Sequence, residues 1–502
     1  MSEIAISPDE FARFLRQLHQ RPDVSGNRKP AVGRTLPPFY QPACGRPSIS
    51  MPNGEGEGDD LLQRLGTLLW QTLGYTQVRL YPPLRPGTGT EAAARRPLAS
   101  GGARYPVDLH VLVPADIAGA LAPCAGKVLA YAPQYHRLFL TGTLEAGTVP
   151  GPSELAIVVS LDFARTWEKY GDFGYRLSAV DAGLVVGRLQ TLASRWSEAS
   201  VDVDVDAAAL DAALGLDPTC QATYCVVRIR PHGGRANGPA VRLEELSVPP
   251  RTPSSGRLPR RFQAVHRAAH AAALTPHSRE QPLLRFLQPQ LQSAEVIALP
   301  GGAQASLPDA IAARRSRAHA FTGAAVRMEV MRACLDGMQR CLRDVLTAAD
   351  AALETPRLLV CSLQVAGLAP GLYSVDESVP VLRALVAGEH GATLARAQLL
   401  SSFDLQKAAF IVYVCTRRWQ AGDPRGPRAY RVDQMLAGAA LDAGTLAVSS
   451  ERISAHAYLG FDADAIARLY GLHHDVNVAA QLCVGATAAG CELARPVVIH
   501  TA

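Results

Sequence analysis

The chain has 502 residues, 48% hydrophobic and 19% charged, with a formal net charge of +5. That length exceeds what one hydrophobic core covers, so two domains are expected. A charge so small for the size excludes a general nucleic-acid-binding surface. The amino terminus, MSEIAISPDEFARFLRQLH, is acidic early and lacks the apolar core of a signal peptide. The most apolar runs, LAIVVSLDF and FIVYVC, are too short to span a bilayer and are expected as buried strands. A cytoplasmic protein with no membrane attachment is the expectation. The ten cysteines include no Cys-x-x-Cys pair, so they are expected as core thiols in a reducing compartment, with no metal centre.

In chain order, an amphipathic helix is expected over Pro8–Leu18, followed by a Pro/Gly-rich run ending in MPNGEGEGDD. A helical pattern starts at Leu61, and strand patterns follow in LHVLVP, VLAYAP and LAIVVSL. The long segment YRLSAVDAGLVVGRLQTLASRW has apolar residues at helical spacing, and the strand ATYCVVRIRP closes this half. Residues 236–300 are rich in Pro, Arg and Ser and are expected as a linker, with a helix around Ala264–Ala273. Residues 231–300 hold nine arginines against four glutamates, a basic stretch in an otherwise balanced chain. The expected organisation is an extension (1–58), a first domain (59–235), the linker (236–300) and a second domain (301–502).

The second half repeats the plan of the first. Tyr175-Arg176 is echoed by Tyr430-Arg431, Gly183 by Gly438, and Ala213-Leu214-Gly215-Leu216 by Arg468-Leu469-Tyr470-Gly471-Leu472, each near the end of a helix. The offsets are 255, 255 and 256, so the register hardly drifts. An internal duplication is expected, and a duplicated unit in one chain is what a former homodimer becomes.

Three segments carry chemistry. Arg314-Arg315-Ser316-Arg317 follows the short helix SLPDAIAARR, with Ser306 as N-cap, Pro308 in the first turn and Asp309 suited to the dipole. Three guanidiniums and a hydroxyl can wrap a phosphate with bidentate hydrogen bonds, although arginine pairs are also common on solvated surfaces. The second segment is Leu98-Ala99-Ser100-Gly101-Gly102-Ala103-Arg104-Tyr105-Pro106, where adjacent glycines before a strand let backbone approach a flat ligand. The third is Lys169-Tyr170, shortly before the long helix; lysines are rare here, the others being Lys29, Lys127 and Lys407.

In order and spacing these segments resemble the SagB-type, thiazole/oxazole-oxidising branch of the nitroreductase-like flavoproteins. The shared elements are Arg314-Arg315-Ser316-Arg317, the Ser100-Gly101-Gly102 loop, Lys169-Tyr170 before Gly174-Tyr175-Arg176, and Gly460-Phe461 before a helix. The resemblance covers roughly residues 60–230 and 300–490. It implies an α+β fold of two tandem nitroreductase-like domains forming an intramolecular pseudo-dimer, as a monomer or a higher homo-oligomer. The first half keeps only Arg46-Pro47-Ser48 of the arginine element. The second half replaces the glycine loop with VCSLQVAGLAPG and Lys-Tyr with Arg418-Trp419-Gln420-Ala421. The resemblance therefore implies one complete FMN site, with Arg314, Arg315, Ser316, Arg317, Ser100, Gly101 and Gly102 as cofactor ligands, and one vestigial site. Ser454, Ala455 and His456, just before Gly460, are expected to approach the isoalloxazine ring, with no role assigned to His456, since histidines on such loops are more often structural.

The activity implied is oxidation of thiazolines or oxazolines to azoles on a ribosomally made precursor peptide, in a thiopeptide or linear azole peptide pathway with a cyclodehydratase. A base removes the α-carbon proton while the flavin accepts hydride, and oxygen takes the electrons. Lys169 and Tyr170 are the proton-handling residues. Their reference pKa values, roughly 10.4 and 10, must fall by about 3 for a base at neutral pH, about 4 kcal/mol of differential stabilisation. An exposed lysine beside a packed tyrosine is the alternative. An NAD(P)H-dependent reductase of nitro or dehydroamino acid substrates and a flavin-free, peptide-recruiting scaffold remain as competing functions.

Overall fold

The computed structural model describes residues 6–20, 46–52, 60–81, 91–144, 151, 154–232, 240–245, 258–272, 274, 286, 296–301, 306–348, 354–376, 381–399, 403–450, 452–488 and 493–496. Eleven helices are found among them. The first five are α1 (Pro8–Gln20), α2 (Leu61–Leu73), α3 (Phe163–Tyr170), α4 (Gly174–Ala193) and α5 (Ala207–Leu214). The others are α6 (Arg260–Ala271), α7 (Leu307–Ala313), α8 (Met328–Ala348), α9 (Gly391–Arg396), α10 (Arg428–Val448) and α11 (Ala463–Tyr470). No described helix is long and apolar enough to cross a membrane.

Two compact units divide the chain, and neither is contiguous. The carboxy-half unit comprises residues 1–26, 170–187 and 260–490; the amino-half unit comprises 27–169, 188–259 and 491–502. These bounds differ from those expected at 58, 235 and 300. Residues 260–271, expected within a linker, form α6, whose Phe262, Val265 and Ala269 are fully buried. Phe262 meets Phe14 of α1 at 6.4 Å and Tyr175 of α4 at 5.5 Å. The apolar i, i+3, i+7 spacing on this helix is what makes it pack rather than trail in solvent. Of the other expectations, Cys44, Cys491 and most of the Pro/Gly-rich run 21–58 lie outside the described residues.

The amino-half unit is built on an eight-stranded antiparallel sheet. Its strand order is 244–245, 47–50, 137–143, 127–132, 107–112, 155–162, 221–231, 197–202. The carboxy-half unit has a seven-stranded one, ordered 296–298, 381–387, 371–375, 357–362, 410–417, 476–486, 453–458. From its second strand, 47–50, onward the eight-stranded order matches the whole seven-stranded order, beginning at 296–298, strand for strand. The central strands Leu155–Asp162 and Phe410–Arg417 are buried along nearly their whole length, which is why they read as continuous apolar runs rather than alternating ones.

The duplication reaches local detail. The 155–162/221–231 pair carries a bulge between Val159 and Ser160, and the 410–417/476–486 pair carries one between Val414 and Cys415. Helix α5 is N-capped by Asp206 and closed by left-handed Gly215 (φ 65°); α11 is N-capped by Asp462 and closed by Gly471 (φ 63°). A side chain at either glycine would strain the turn, which explains their recurrence.

Candidate functional site

The arginine element sits in the carboxy-half unit as the sequence suggests. The Ser306 hydroxyl accepts from the Asp309 amide and caps α7, and Arg314 closes the helix by donating its amide to Ala310 O at 2.9 Å. Arg314 is buried, while Arg315, Ser316 and Arg317 are half-buried. Arg314 Nη1 reaches Ser316 Oγ at 3.4 Å, and Arg315 Nη1 donates to the Ala312 and Arg314 carbonyls at 2.6 and 2.9 Å. A residue from another strand fixes the backbone: Ser454 Oγ accepts from Arg317 N at 3.1 Å and donates to Arg315 O at 2.7 Å. Three guanidiniums and one hydroxyl on four consecutive residues form a donor set chemically suited to a phosphate dianion. Cations are also favoured at this end of a helix.

Ser454 therefore serves the element through its backbone. Two residues on, His456 packs against Phe403 (5.3 Å) and Tyr458 (6.0 Å). Burial first, and the nearby His319 second, hold its imidazole down at about 4, so it is neutral at physiological pH.

The glycine loop belongs to the amino-half unit. Ser100 O accepts from Ala103 N at 3.0 Å, and Ser100 Oγ accepts from Tyr105 N at 2.8 Å. Gly102 (φ 59°), Ala103 (φ 56°) and Tyr105 (φ 46°) all adopt the left-handed region. For the two non-glycines this costs on the order of 1–3 kcal/mol each, so surrounding structure must hold them.

Arg165 of α3 supplies that support. Its Nη1 donates to Tyr105 O (3.0 Å) and Asp108 Oδ1 (3.0 Å), its Nη2 to Asp108 Oδ2 (2.5 Å) and its Nε to Asp162 Oδ2 (3.2 Å). The buried Arg96 guanidinium lies 4.6 Å from the Tyr105 ring centre and 5.1 Å from that of Tyr75, a favourable cation–π position.

Arg104 then joins the loop to α3, donating to Arg165 O at 2.8 Å and to Glu168 Oε2 at 2.7 Å. The next residue is Lys169, which is exposed, yet its amine is held below the ordinary lysine value, by desolvation first and then by the Arg104 guanidinium. The structure thus gathers Ser100, Gly101, Gly102 and Lys169 around one loop–helix junction, and Arg314, Arg315, Ser316 and Arg317 around Ser454. Tyr170 opens the 170–187 segment of the carboxy-half unit, its ring 6.4 Å from Phe173.

The Tyr175-Arg176 pair is structural. Arg176 is fully buried and donates to Leu18 O (2.9 Å), Ala479 O (2.8 Å) and Leu459 O (3.4 Å), tying α1 and the Gly460-Phe461 loop to the sheet. Arg104, Asp108, Arg165 and Ser454 carry the site's geometry without having been assigned those roles from sequence. The available signal was a charge within otherwise apolar strand and helix faces, at Asp108 and Arg165, which demands a buried partner.

No protein-family model and no curated protein matches the sequence. Among solved structures, the chain is similar to a protein of Anabaena variabilis provisionally described as a nitroreductase. The likeness has a TM-score of 0.72 and 18% identity and covers 96% of this chain and 100% of that one. A Ralstonia eutropha protein described in the same way matches with a TM-score of 0.28 at 17% identity, over 39% of this chain and 97% of that one. A chain of the E. coli microcin synthetase complex with a truncated pro-peptide bound matches with a TM-score of 0.27 at 16% identity, over 45% of this chain and 93% of that one. The first likeness, end to end in both chains, gives the fold: α+β, nitroreductase-like, in tandem.

Proposed function

We propose that this chain is an FMN-dependent oxidoreductase that dehydrogenates thiazoline or oxazoline rings of a ribosomally made precursor peptide to azoles, beside a cyclodehydratase, with oxygen as final electron acceptor. The observation that carries the flavin part is the arginine element, three guanidiniums and a hydroxyl pinned by Ser454, on a nitroreductase-like fold. The substrate class rests on the resemblance of the motifs.

Bound FMN supplies the two-electron acceptor for which the ring hydride leaves. Arg314, Arg315, Ser316 and Arg317 would hold its phosphate, each charge-assisted hydrogen bond contributing about 1.5–3 kcal/mol. The Ser100–Gly101–Gly102 turn would offer backbone without side-chain bulk to a planar ring system. Lys169, with Tyr170 beside it, takes the α-carbon proton, and the lowered affinity of its amine for protons is the property that role requires.

The test is the visible spectrum and flavin content of the purified protein and of Arg315→Ala. About one FMN per chain, lost in the variant, is expected for a cofactor held by its phosphate. No flavin after reconstitution with FMN would remove the redox reading. With flavin present, azole formation from an azoline peptide, lost in Lys169→Ala, tests the substrate. Bleaching by NADPH with no action on azolines would replace the dehydrogenase with a reductase.

A further inference from the structure

On the carboxy-half unit, His473, His474 and Asp475 form the turn that enters strand Val476–Ala486. Their ligand atoms all lie within 4.8 Å of one another. His473 Nδ1 is 3.3 Å from Asp475 Oδ2, and His474 Nε2 is 3.3 Å from Asp475 Oδ1. The imidazole ring centres are 4.1 Å apart. Two donors each about 2.0–2.1 Å from a tetrahedral ion stand about 3.3 Å from each other. Each imidazole nitrogen therefore stands at ligand spacing from its own oxygen of the one Asp475 carboxylate, and His473 Nδ1 also accepts from Asp475 N at 3.4 Å, a bond that an ion would replace.

The turn is also held in place. Asp475 Oδ1 accepts from Gln420 Nε2 at 3.1 Å, Asp475 O accepts from Arg418 N at 2.6 Å, and His473 N donates to Phe286 O at 3.1 Å. Such outer contacts orient ligands before the ion arrives. Two imidazoles and a carboxylate make a borderline donor set that favours zinc and its neighbours over calcium or magnesium.

A second observation concerns the surroundings. His474 and Gln420 line a cavity of about 370 Å³, together with Arg16, Arg418, Trp419 and Asn477. Three protein ligands leave a fourth position open, and the same cavity is lined by Arg16 and by Arg418, the latter paired with Asp464 at 2.7 Å. We propose that His473, His474 and Asp475 bind one divalent zinc-type cation per chain, with the fourth position taken by water or by an anion entering this cavity.

The experiment uses the full chain, stripped with EDTA and dialysed, then titrated calorimetrically with zinc chloride at pH 7.5. Bound zinc is counted by equilibrium dialysis. One saturable site per chain is expected, weakened at least about 10-fold in His474→Ala and in Asp475→Asn. The His474 side chain is 79% exposed, so its removal leaves the fold intact, and unchanged urea unfolding verifies this. No saturable binding, or binding of equal affinity and stoichiometry in both variants, would overturn the proposal, whatever the flavin content.

Discussion

Gly183 and Gly438 face each other, 255 positions apart in the chain. A Cβ built on Gly183 would lie 1.9 Å from Met435 O; one built on Gly438 would lie 2.1 Å from Val180 O. Each would stand 2.9 Å from the other glycine's Cα. Val180 and Met435 are themselves 255 positions apart, so the contact is reciprocal, as in an isologous interface where each patch meets its own copy. Tyr175 and Tyr430 repeat the pattern, stacked at 6.3 Å and 10°. Helices α4 and α10 thus retain, inside one chain, the self-contact of a dimer.

Alanine in place of either glycine would normally strengthen a helix by about 1 kcal/mol. Here the added methyl has a carbonyl oxygen in its place, so Gly183→Ala and Gly438→Ala should each destabilise by roughly 1–3 kcal/mol or more. The double variant should cost less than the sum, because both methyls force open one crossing. Urea unfolding of the four proteins measures this; a stabilised single variant would contradict the close approach.

Arg165 and Asp108 have side chains only 3% and 9% exposed. Arg165→Met strands the buried carboxylates of Asp108 and Asp162 and should cost about 3–5 kcal/mol, whereas Asp108→Asn leaves Arg165 its Asp162 partner and should cost less. The same pair supports the left-handed Tyr105, so proteolysis near residue 105 should accelerate in the single variants.

Ser454→Ala removes two hydrogen bonds to the backbone of the arginine element while leaving every guanidinium in place. FMN affinity should fall about 5- to 10-fold, the equivalent of about one net hydrogen bond, with little change in stability. Fluorescence titration of the apoprotein with FMN reads the effect. Unchanged affinity would mean that the element is held in shape without Ser454.

Lys169 acts as a base only as the free amine. Its proton affinity is lowered in the fold, by desolvation and then by Arg104. The rate should therefore rise with pH and level off at a lower pH than for an ordinary lysine. Arg104→Gln removes the neighbouring cation, and that change favours the ammonium. The profile should then move to higher pH, and Lys169→Ala should lose about 100- to 10,000-fold in rate. A profile indifferent to Arg104 would exclude Lys169 as the titrating group.

Burial holds His110, His136 and His456 down at about 4, against about 6.5 in an unfolded chain. Between those values the unfolded state takes up protons that the folded state refuses. Stability is therefore complete above about pH 6.5 and falls as pH drops towards 4, by on the order of 1–3 kcal/mol per histidine. The urea midpoint should be clearly lower at pH 5 than at pH 7.5, and an unchanged midpoint would show these rings to be protonated in the fold.

Much of the architecture was readable from local pattern. The 255-residue offset showed the duplication that pairs α4 with α10, the recurrence of Gly-Leu at Gly215 and Gly471 matched the ends of α5 and α11, and Ser306 marked the start of α7. Those features depend on neighbours in sequence. What escaped depends on partners distant in sequence. Nothing near His19 announces its 3.0 Å bond to Tyr430. Nothing near Ser454 announces the carbonyl of Arg315, and the amphipathic stripe of α6 names no surface for it to cover. The loop around Gly101 was recognisable by its glycines, yet its strain falls on Ala103 and Tyr105, which composition alone would place in ordinary strand.

The interleaved units bear on how this chain can be handled. Strand Leu493–Pro496 pairs with Gln77–Tyr81 in the amino-half unit, while α1 and the first turns of α4 belong to the carboxy-half unit. Severing the backbone between residues 245 and 258 would therefore free no self-sufficient half, because each fragment would carry off a limb of the other's unit. Two such fragments expressed together should recover their structure only by mutual complementation, and each expressed alone should be found insoluble or degraded.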